Sequence, residues 1–268
     1  MKIGPDAKTV TAICTSNPDT IIVRGENLAE DLIGGVSFTD HIWLLVVGGL
    51  PTAAQRRILD SALVAIAEHG LVPSVVAARM TLAAGPEAIQ GAVAAGLLGC
   101  GSVILGRSQA AGEFLNKVVT FAGDGDLNGP AREVITSYRA ERRPVPGYGH
   151  PLHKGGDPRA LKLFAVARET GQFGRHCEAA YAAEALLPEI TGRDLSMNIS
   201  AAIPAVLLDA GYPLLALKGV PLLARTASLV AHLLEEQTTP IGFHMAHSAS
   251  SSIDYNGTAP DGFVPDEK

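Results

Sequence analysis

The chain lacks most of the features that announce a partner. Only 18% of its 268 residues are charged, acids outnumber bases, and the formal net charge is −6 with a pI near 5.7. No strongly basic face is forced, so nucleic acid is not an expected partner. Cysteine is scarce: Cys14, Cys100 and Cys177 share no metal-like spacing and cannot all pair. No metal is expected, and a reducing, cytoplasmic setting is. Long apolar runs are missing too. A membrane span needs about 20 continuous apolar residues. WLLVVGGL (43–50) is too short, and GAVAAGLLGCGSVILG (91–106) is short and glycine-rich. No membrane partner is expected, and MKIGPDAKTV holds no apolar signal core.

What is present is apolar. Hydrophobic residues make up 47% and the mean hydropathy is +0.22. Many buried helices and a large oligomer interface are the two plain explanations. The length fits one large domain or two small ones.

Helical periodicity dominates. AAQRRILDSALVAIAEHG (53–70) puts Ile58, Ala62, Ala65 and Ile66 on one stripe, with Arg56, Arg57 and Asp60 opposite. Further helices are predicted over 73–85, 86–101, 110–123, 130–142, 158–171, 175–191, 196–212 and 214–237. The small residues Gly91, Ala92, Ala94, Ala95 and Gly96 would admit another helix closely. Strand signals are few: TIIVRG (20–25) is one short run. The tail from Thr238 to Lys268 shows no periodicity, and GTAPDGFVPDEK reads as loose. An all-α fold is therefore predicted.

One stretch stands out for chemistry. GYGHPLHKGGDPR (147–159) gathers two histidines and an arginine where glycine and proline make the backbone hardest to order. Arg225 is equally conspicuous, because LLARTASLVAHLL is otherwise apolar. A charge there must be paired or line a cavity.

Four ordered segments resemble the citrate synthase superfamily, closest to its short citryl-CoA lyase-like members. IIVRGENLAEDLIGGVSFTDHIWLLVVGGLPT is similar to the family's entry segment, an RG turn followed by a helix ending in Gly-x-Leu-Pro-Thr. AEHGLVPSVVAARM resembles the segment around the first substrate histidine. GYGHPLHKGGDPRA matches G-x-G-H followed by D-P-R. LLARTASLVAHLLEE resembles the late helix with a substrate arginine. The resemblance implies an all-α homodimer with a large domain (1–108 and 205–268) and a small domain (109–204). The active site would lie in the cleft between them. It further implies making or breaking a carbon–carbon bond beside a coenzyme A thioester. The thioester would be a co-substrate, a small carboxylate the other partner, and no cofactor tightly bound.

Carried over residue by residue, His150 would donate to the reacting carbonyl. The loop Val145, Pro146, Gly147, Tyr148 and Gly149 would lie against the adenine of CoA, its glycines letting backbone approach the ligand. Arg159 would grip a carboxylate with its planar fork; a surface salt bridge is the alternative. Pro158 fixes the helix start, and Asp157 reads as an N-cap. His153 and Lys154 read as solvated residues. His69 follows a helix end where positive charge is favoured, either acting on substrate or capping the helix. Arg225 would hold a substrate carboxylate or pair with a structural acid such as Glu235. His232, seven residues on, is read as structural, and Asn198 as substrate-binding.

Three departures bear on the reaction. The family has Asn-Val-Asp-Gly on a late small-domain helix, and its aspartate takes the acetyl proton. Here MNISAA keeps Asn198 and places Ser200 at the acid. Serine is no base at neutral pH without an activating partner. Where many members have His-Gly-Gly-Ala, GRSQAAGE places Ser108, followed by Gln109 and Ala110; its hydroxyl can still donate to an enolate oxygen. Finally, Tyr255 and Gly257 fit a Tyr-x-Gly element, but no arginine precedes them, leaving His244 or His247 as conditional substitutes. The catalytic set is thus expected at His150, His69, Ser200 and Ser108, and the nearest reaction is cleavage of citryl-CoA to acetyl-CoA and oxaloacetate. A diverged enzyme on another acyl-CoA and oxo-acid, and a non-catalytic protein binding such ligands, are the alternatives.

Overall fold

The computed structural model describes residues 9–101, 105, 107–149 and 156–263. His150, His153 and Lys154 lie outside the described residues. The chain is all-α apart from one small antiparallel sheet near the N-terminus, and it forms two compact units. Unit one comprises residues 1–65 and 107–220, and unit two residues 66–106 and 221–268. This division by packing differs from the large and small domains expected above: residues 109–204 fall together within unit one.

In unit one, β1 (Cys14–Ser16), β2 (Ile21–Val23) and β3 (Glu26–Asn27) form the sheet. Only the middle strand is visible as a β-like run, because its IIV is apolar and β-branched while the others read CTS and EN. Ile22 pairs with Asn27 and Val23 with Glu26, so the hairpin loop is Arg24–Gly25. Both residues have positive φ, 53° and 96°, the geometry that matches the twist of paired strands. Arg24 then donates from Nε (3.0 Å) and Nη2 (2.7 Å) to the Leu45 carbonyl, in the last turn of α1 (Phe38–Val47). A cation is favoured at that helix end.

A capping box between Ser37 and Asp40 starts α1, and Gly48 in the left-handed region ends it. α2 (Ala53–Ala67) follows with Ile58, Leu59 and Ala62 buried, as its stripe predicts. The rest of unit one is a helical assembly of α5 (Arg107–Ala122), α6 (Asn128–Ala140), α7 (Pro158–Glu169), α8 (Arg175–Thr191) and α9 (Ile199–Asp209). α5 packs on α9, and a β-carbon on its Gly112 would come within 3.2 Å of Pro204 Cβ and closer still to Leu217 Cδ1. Eight residues of α9, Ile199 and Ala201–Leu207, are buried, so its near-uniform apolar sequence reflects contact on all sides.

Unit two is built from α3 (Pro73–Ala84), α4 (Ile89–Leu98), α10 (Gly219–Thr238, of which residues 221–238 belong here) and α11 (Gly242–Ser252). Val75, Ala78, Leu82, Ala92, Leu229 and Leu233 form its core. Gly96 serves the close approach expected of α4: a β-carbon there would lie 2.8 Å from Leu229 Cδ1 and from the Ser74 carbonyl. By length and composition alone Leu214–Thr238 could cross a membrane; its Leu229 and Leu233 are buried in this core instead.

Several boundaries differ from expectation. The helix predicted from 110 starts at Arg107, and the one predicted from 196 starts at Ile199, where Asn198 caps it. The run 214–237 is broken into a short 3-10 turn, Leu214–Ala216, and α10. Most notably, α11 lies in the stretch that shows no periodicity. Its sequence, GFHMAHSASSS, has no apolar stripe to betray it. It is held at its start: Glu236 accepts from the amides of Ile241 (3.1 Å) and Gly242 (2.7 Å) and pairs with buried Arg79 at 2.7 Å.

Candidate functional site

The best-matched sequence motifs of unit one meet at the N-terminus of α9. The Asn198 amide donates to the Gly147 carbonyl (2.9 Å), its Nδ2 donates to the Gly149 carbonyl (2.8 Å), and its Oδ1 accepts from the Ser200 amide (2.9 Å). Gly149 N closes the loop on the Ser196 carbonyl at 2.8 Å. Asp157 adds the third motif. It caps α7 through the Arg159 amide (3.0 Å), accepts Arg159 Nε (3.0 Å) and Nη2 (2.8 Å), and takes the Ile199 amide at 3.1 Å. One buried carboxylate thus ties together the starts of α7 and α9. Burial pushes its pKa up, but Arg159 and the Ile199 amide outweigh that and hold it below the usual carboxylate range.

This geometry refines several readings. Gly147 has φ +90°, and a β-carbon on it would sit 2.6 Å from Ala201 Cβ; the missing side chain admits the chain's own helix. Gly149 also has positive φ, +80°. Tyr148 turns inward, 8% exposed, with its hydroxyl donating to the Ala180 carbonyl at 2.9 Å, and burial pushes its phenol pKa up. Its backbone pairs with Met197. Arg159 is in the ion pair named as the alternative, although its partner is buried and its own side chain is 25% exposed. Asn198 has its amide group committed to the loop and the helix.

Beside this loop lies a cavity of about 620 Å³ bordered by Val145, Tyr148, Arg139, Arg142, Arg143 and Arg193. Arg139 donates to the Ile190 carbonyl at 2.5 Å, and Arg143 pairs with Glu141 at 2.6 Å and stacks on Tyr138. Arg142 and Arg193 have no acidic partner among the described residues. Four guanidinium groups around one cavity suit a ligand carrying several negative charges. Sequence reading missed this, because the arginines are separated in RAERR and TGRD and converge only through the fold.

Ser108 is buried at 3% exposure in the first turn of α5, the helix packed on α9. Ser200 is partly buried in the first turn of α9. Neither can serve as a base unaided.

Unit two holds the other two candidates, His69 and Arg225. Arg225 is 2% exposed; its Nη1 donates to Ser228 Oγ at 3.5 Å and its Nε has no hydrogen-bond partner among the described residues. Glu235, the structural acid considered for it, pairs with Arg79 at 2.5 Å instead. His69 is exposed, just past the end of α2. Its neighbour Glu68 accepts from the amides of His69 (2.9 Å) and Gly70 (2.5 Å), from Ser228 Oγ (2.5 Å), and faces His232 Nε2 at 3.1 Å. Burial raises the Glu68 pKa, but the Ser228, Gly70 and His232 contacts outweigh it and lower it to about 2. Glu68 and Ser228 were missed in the sequence. The only hint was their spacing: Ser228 follows Arg225 by three and precedes His232 by four, one helix face.

Near the C-terminus, His247 Nε2 lies 3.5 Å from Ser251 Oγ, and the Tyr255 hydroxyl donates to the Thr258 carbonyl at 3.0 Å. Both are local contacts, and His244 is exposed. Among the described residues no group of His, Cys, Asp and Glu is clustered to hold a metal ion.

A helical fold with a glycine-kinked loop, a capped D-P-R helix and a buried helical arginine defines a citrate synthase-like protein. Residues 54–242 match the model of the citrate synthase C-terminal domain, and the chain belongs to that family. A putative citrate synthase 2 of Mycobacterium tuberculosis is 28% identical over 193 residues, 70% of this chain and 50% of that protein. A citrate synthase of Heyndrickxia coagulans is 26% identical over 75% of this chain and 52% of its own length. The chain thus spans about half the length of these curated relatives. Among solved structures, citryl-CoA lyase from Hydrogenobacter thermophilus superposes with a TM-score of 0.85 at 30% identity, covering 96% of this chain and 98% of that one. ATP citrate lyase from Methanothrix soehngenii, solved with citrate and coenzyme A, shares the fold at TM-score 0.75 and 19% identity, covering 98% of this chain and 44% of that one.

Proposed function

We propose that this protein is a carbon–carbon lyase acting on a 3-hydroxy polycarboxyl acyl-CoA, with citryl-CoA as its nearest substrate and acetyl-CoA and oxaloacetate as products. The observation that carries this reading is Arg225: a buried guanidinium with no acidic partner among the described residues and an unpaired Nε. Keeping such a charge buried is costly unless a ligand anion completes it. The four-arginine cavity beside Val145 and Tyr148 supports a CoA site, since CoA carries phosphates. Arg159, oriented by Asp157, has Nη1 free of that pair for a carboxylate.

Cleavage removes the proton of the 3-hydroxyl and breaks the bond to the acetyl methylene. The hydroxyl carbon becomes the oxaloacetate ketone. The bond's electron pair becomes the enolate of acetyl-CoA, which then takes a proton at carbon. His150 is the group assigned to the hydroxyl, on the family motif. Ser108 is assigned as a donor to the enolate oxygen. Ser200 supplies neither an acid to give the enolate its proton nor, in the reverse step, a base to deprotonate acetyl-CoA. Water supplies that proton instead, and the loss of such a group commonly costs about 10²–10⁴-fold in both directions alike. Incubation of the pure protein with citryl-CoA tests the proposal: acetyl-CoA release above background is expected, and none would reject the lyase reading.

Ser200 also favours a second reading, an enzyme on the same fold with a different thioester or oxo-acid. A Ser200→Asp variant separates the two. Under the second reading it gains citrate synthase or lyase activity that the parent lacks.

A further inference from the structure

Beside Arg225 stands a carboxylate to which the reaction above gives no part. Glu68 has both oxygens committed within unit two. Oε1 takes the amides of His69 and Gly70, while Oε2 takes the Ser228 hydroxyl and faces His232. Four partners are more than a half-exposed acid needs for solubility; its side chain is 53% exposed. The amide pair fixes the turn after α2, where Gly70 has φ +70°. The hydroxyl contact fixes Ser228. A serine has one hydroxyl hydrogen, so donating it to Glu68 leaves its lone pairs for a donor, and Arg225 Nη1 lies there at 3.5 Å.

This arrangement resolves a conflict. A guanidinium meant to hold a ligand carboxylate needs to be fixed, yet a direct protein carboxylate would occupy its fork and neutralise it. Here the serine stands between the two charges. Arg225 is held by a neutral oxygen, and its Nε is unpaired among the described residues.

We propose that Glu68 is a positioning residue for a di- or tricarboxylate site at Arg225: through Ser228 it sets the guanidinium, and through two backbone amides it sets the turn bearing His69. The proposal rests on Arg225 as the carboxylate-holding residue. It makes a prediction of sign. By Coulomb's law alone, removing a negative charge near an anion site tightens binding. Positioning predicts the opposite.

Calorimetric titration with oxaloacetate, and separately with coenzyme A, of the wild type and the variants Glu68→Gln and Ser228→Ala decides it. In Glu68→Gln the side-chain amide can still accept the two backbone amides but cannot keep the Ser228 hydroxyl oriented. Ser228→Ala leaves the amide contacts of Glu68 intact, should the first variant fail to fold. Oxaloacetate affinity is expected to fall about 10- to 100-fold in both variants, the range for a hydrogen bond to a charged group, with coenzyme A affinity unchanged. Equal or tighter oxaloacetate binding overturns the proposal alone. A matching loss for both ligands overturns it as general loosening. A wild type that binds coenzyme A but no oxaloacetate overturns the proposal together with the reading of Arg225.

Discussion

At the scale of single residues, the site owes its form to a few groups that each satisfy several neighbours. Gly147 combines positive φ with a 2.6 Å approach to Ala201 Cβ. Gly147→Ala is therefore expected to cost about 1–3 kcal/mol, read as a lower midpoint in urea unfolding; an unchanged midpoint would contradict the packing. Asp157 is the other keystone. Its folded pKa lies below its unfolded value, so its stabilisation is present above the unfolded value near 4 and is lost as pH falls through the lower folded value. Asp157→Asn should cost about 3 kcal/mol at neutral pH. It should also flatten the fall in stability on acidification below about pH 4, measured by unfolding at a series of pH values. A variant with the wild-type acid profile would show that other carboxylates carry it. These residues differ in legibility. D-P-R announces an N-cap because proline and aspartate act locally on the helix start. Glu68 gives no such signal, since its partners Ser228 and His232 lie 160 and 164 residues away.

At the scale of elements, the helices with an apolar stripe or a clear breaker were readable, and α11 was not. A helix of small and polar residues is specified by what holds its ends rather than by its own face. Arg79 and Glu236 form that hold, with side chains 3% and 2% exposed. A β-carbon on Gly242 would meet Ala83 Cβ at 2.5 Å, so α11 starts hard against α3. In Glu236→Gln, hydrogen exchange in residues 241–252 should accelerate while α3 and α4 stay protected. Unchanged exchange would mean that α11 is held elsewhere. The same logic explains the helix starts that sequence misplaced. Where α9 begins is decided by Asn198 and Asp157, and periodicity is blind to caps.

At the scale of the whole molecule, composition and the fold agree. The apolar content exceeds what the cores absorb: Leu98, Leu234 and Phe243 of unit two are 87%, 63% and 70% exposed. A homodimer is the expected state, and light scattering should return twice the 27.8 kDa chain mass; a monomer would leave these side chains without a role. The fold class and the meeting of the G-x-G-H, D-P-R and Asn198 segments at the start of α9 were legible because they rest on motifs of local sequence. The arginine cavity was not, because α6 and the segment after α8 supply it from separate stretches of chain.

The central claim is that this chain retains the groups that hold a polycarboxylate and a CoA thioester. The most direct test is a crystal structure of the protein grown with citrate and coenzyme A. A citrate carboxylate is predicted within hydrogen-bond distance of Arg225 Nε, and coenzyme A in the arginine-lined cavity beside Val145 and Tyr148. Citrate absent from Arg225 and coenzyme A absent from that cavity, at concentrations that saturate the crystal, would contradict the account.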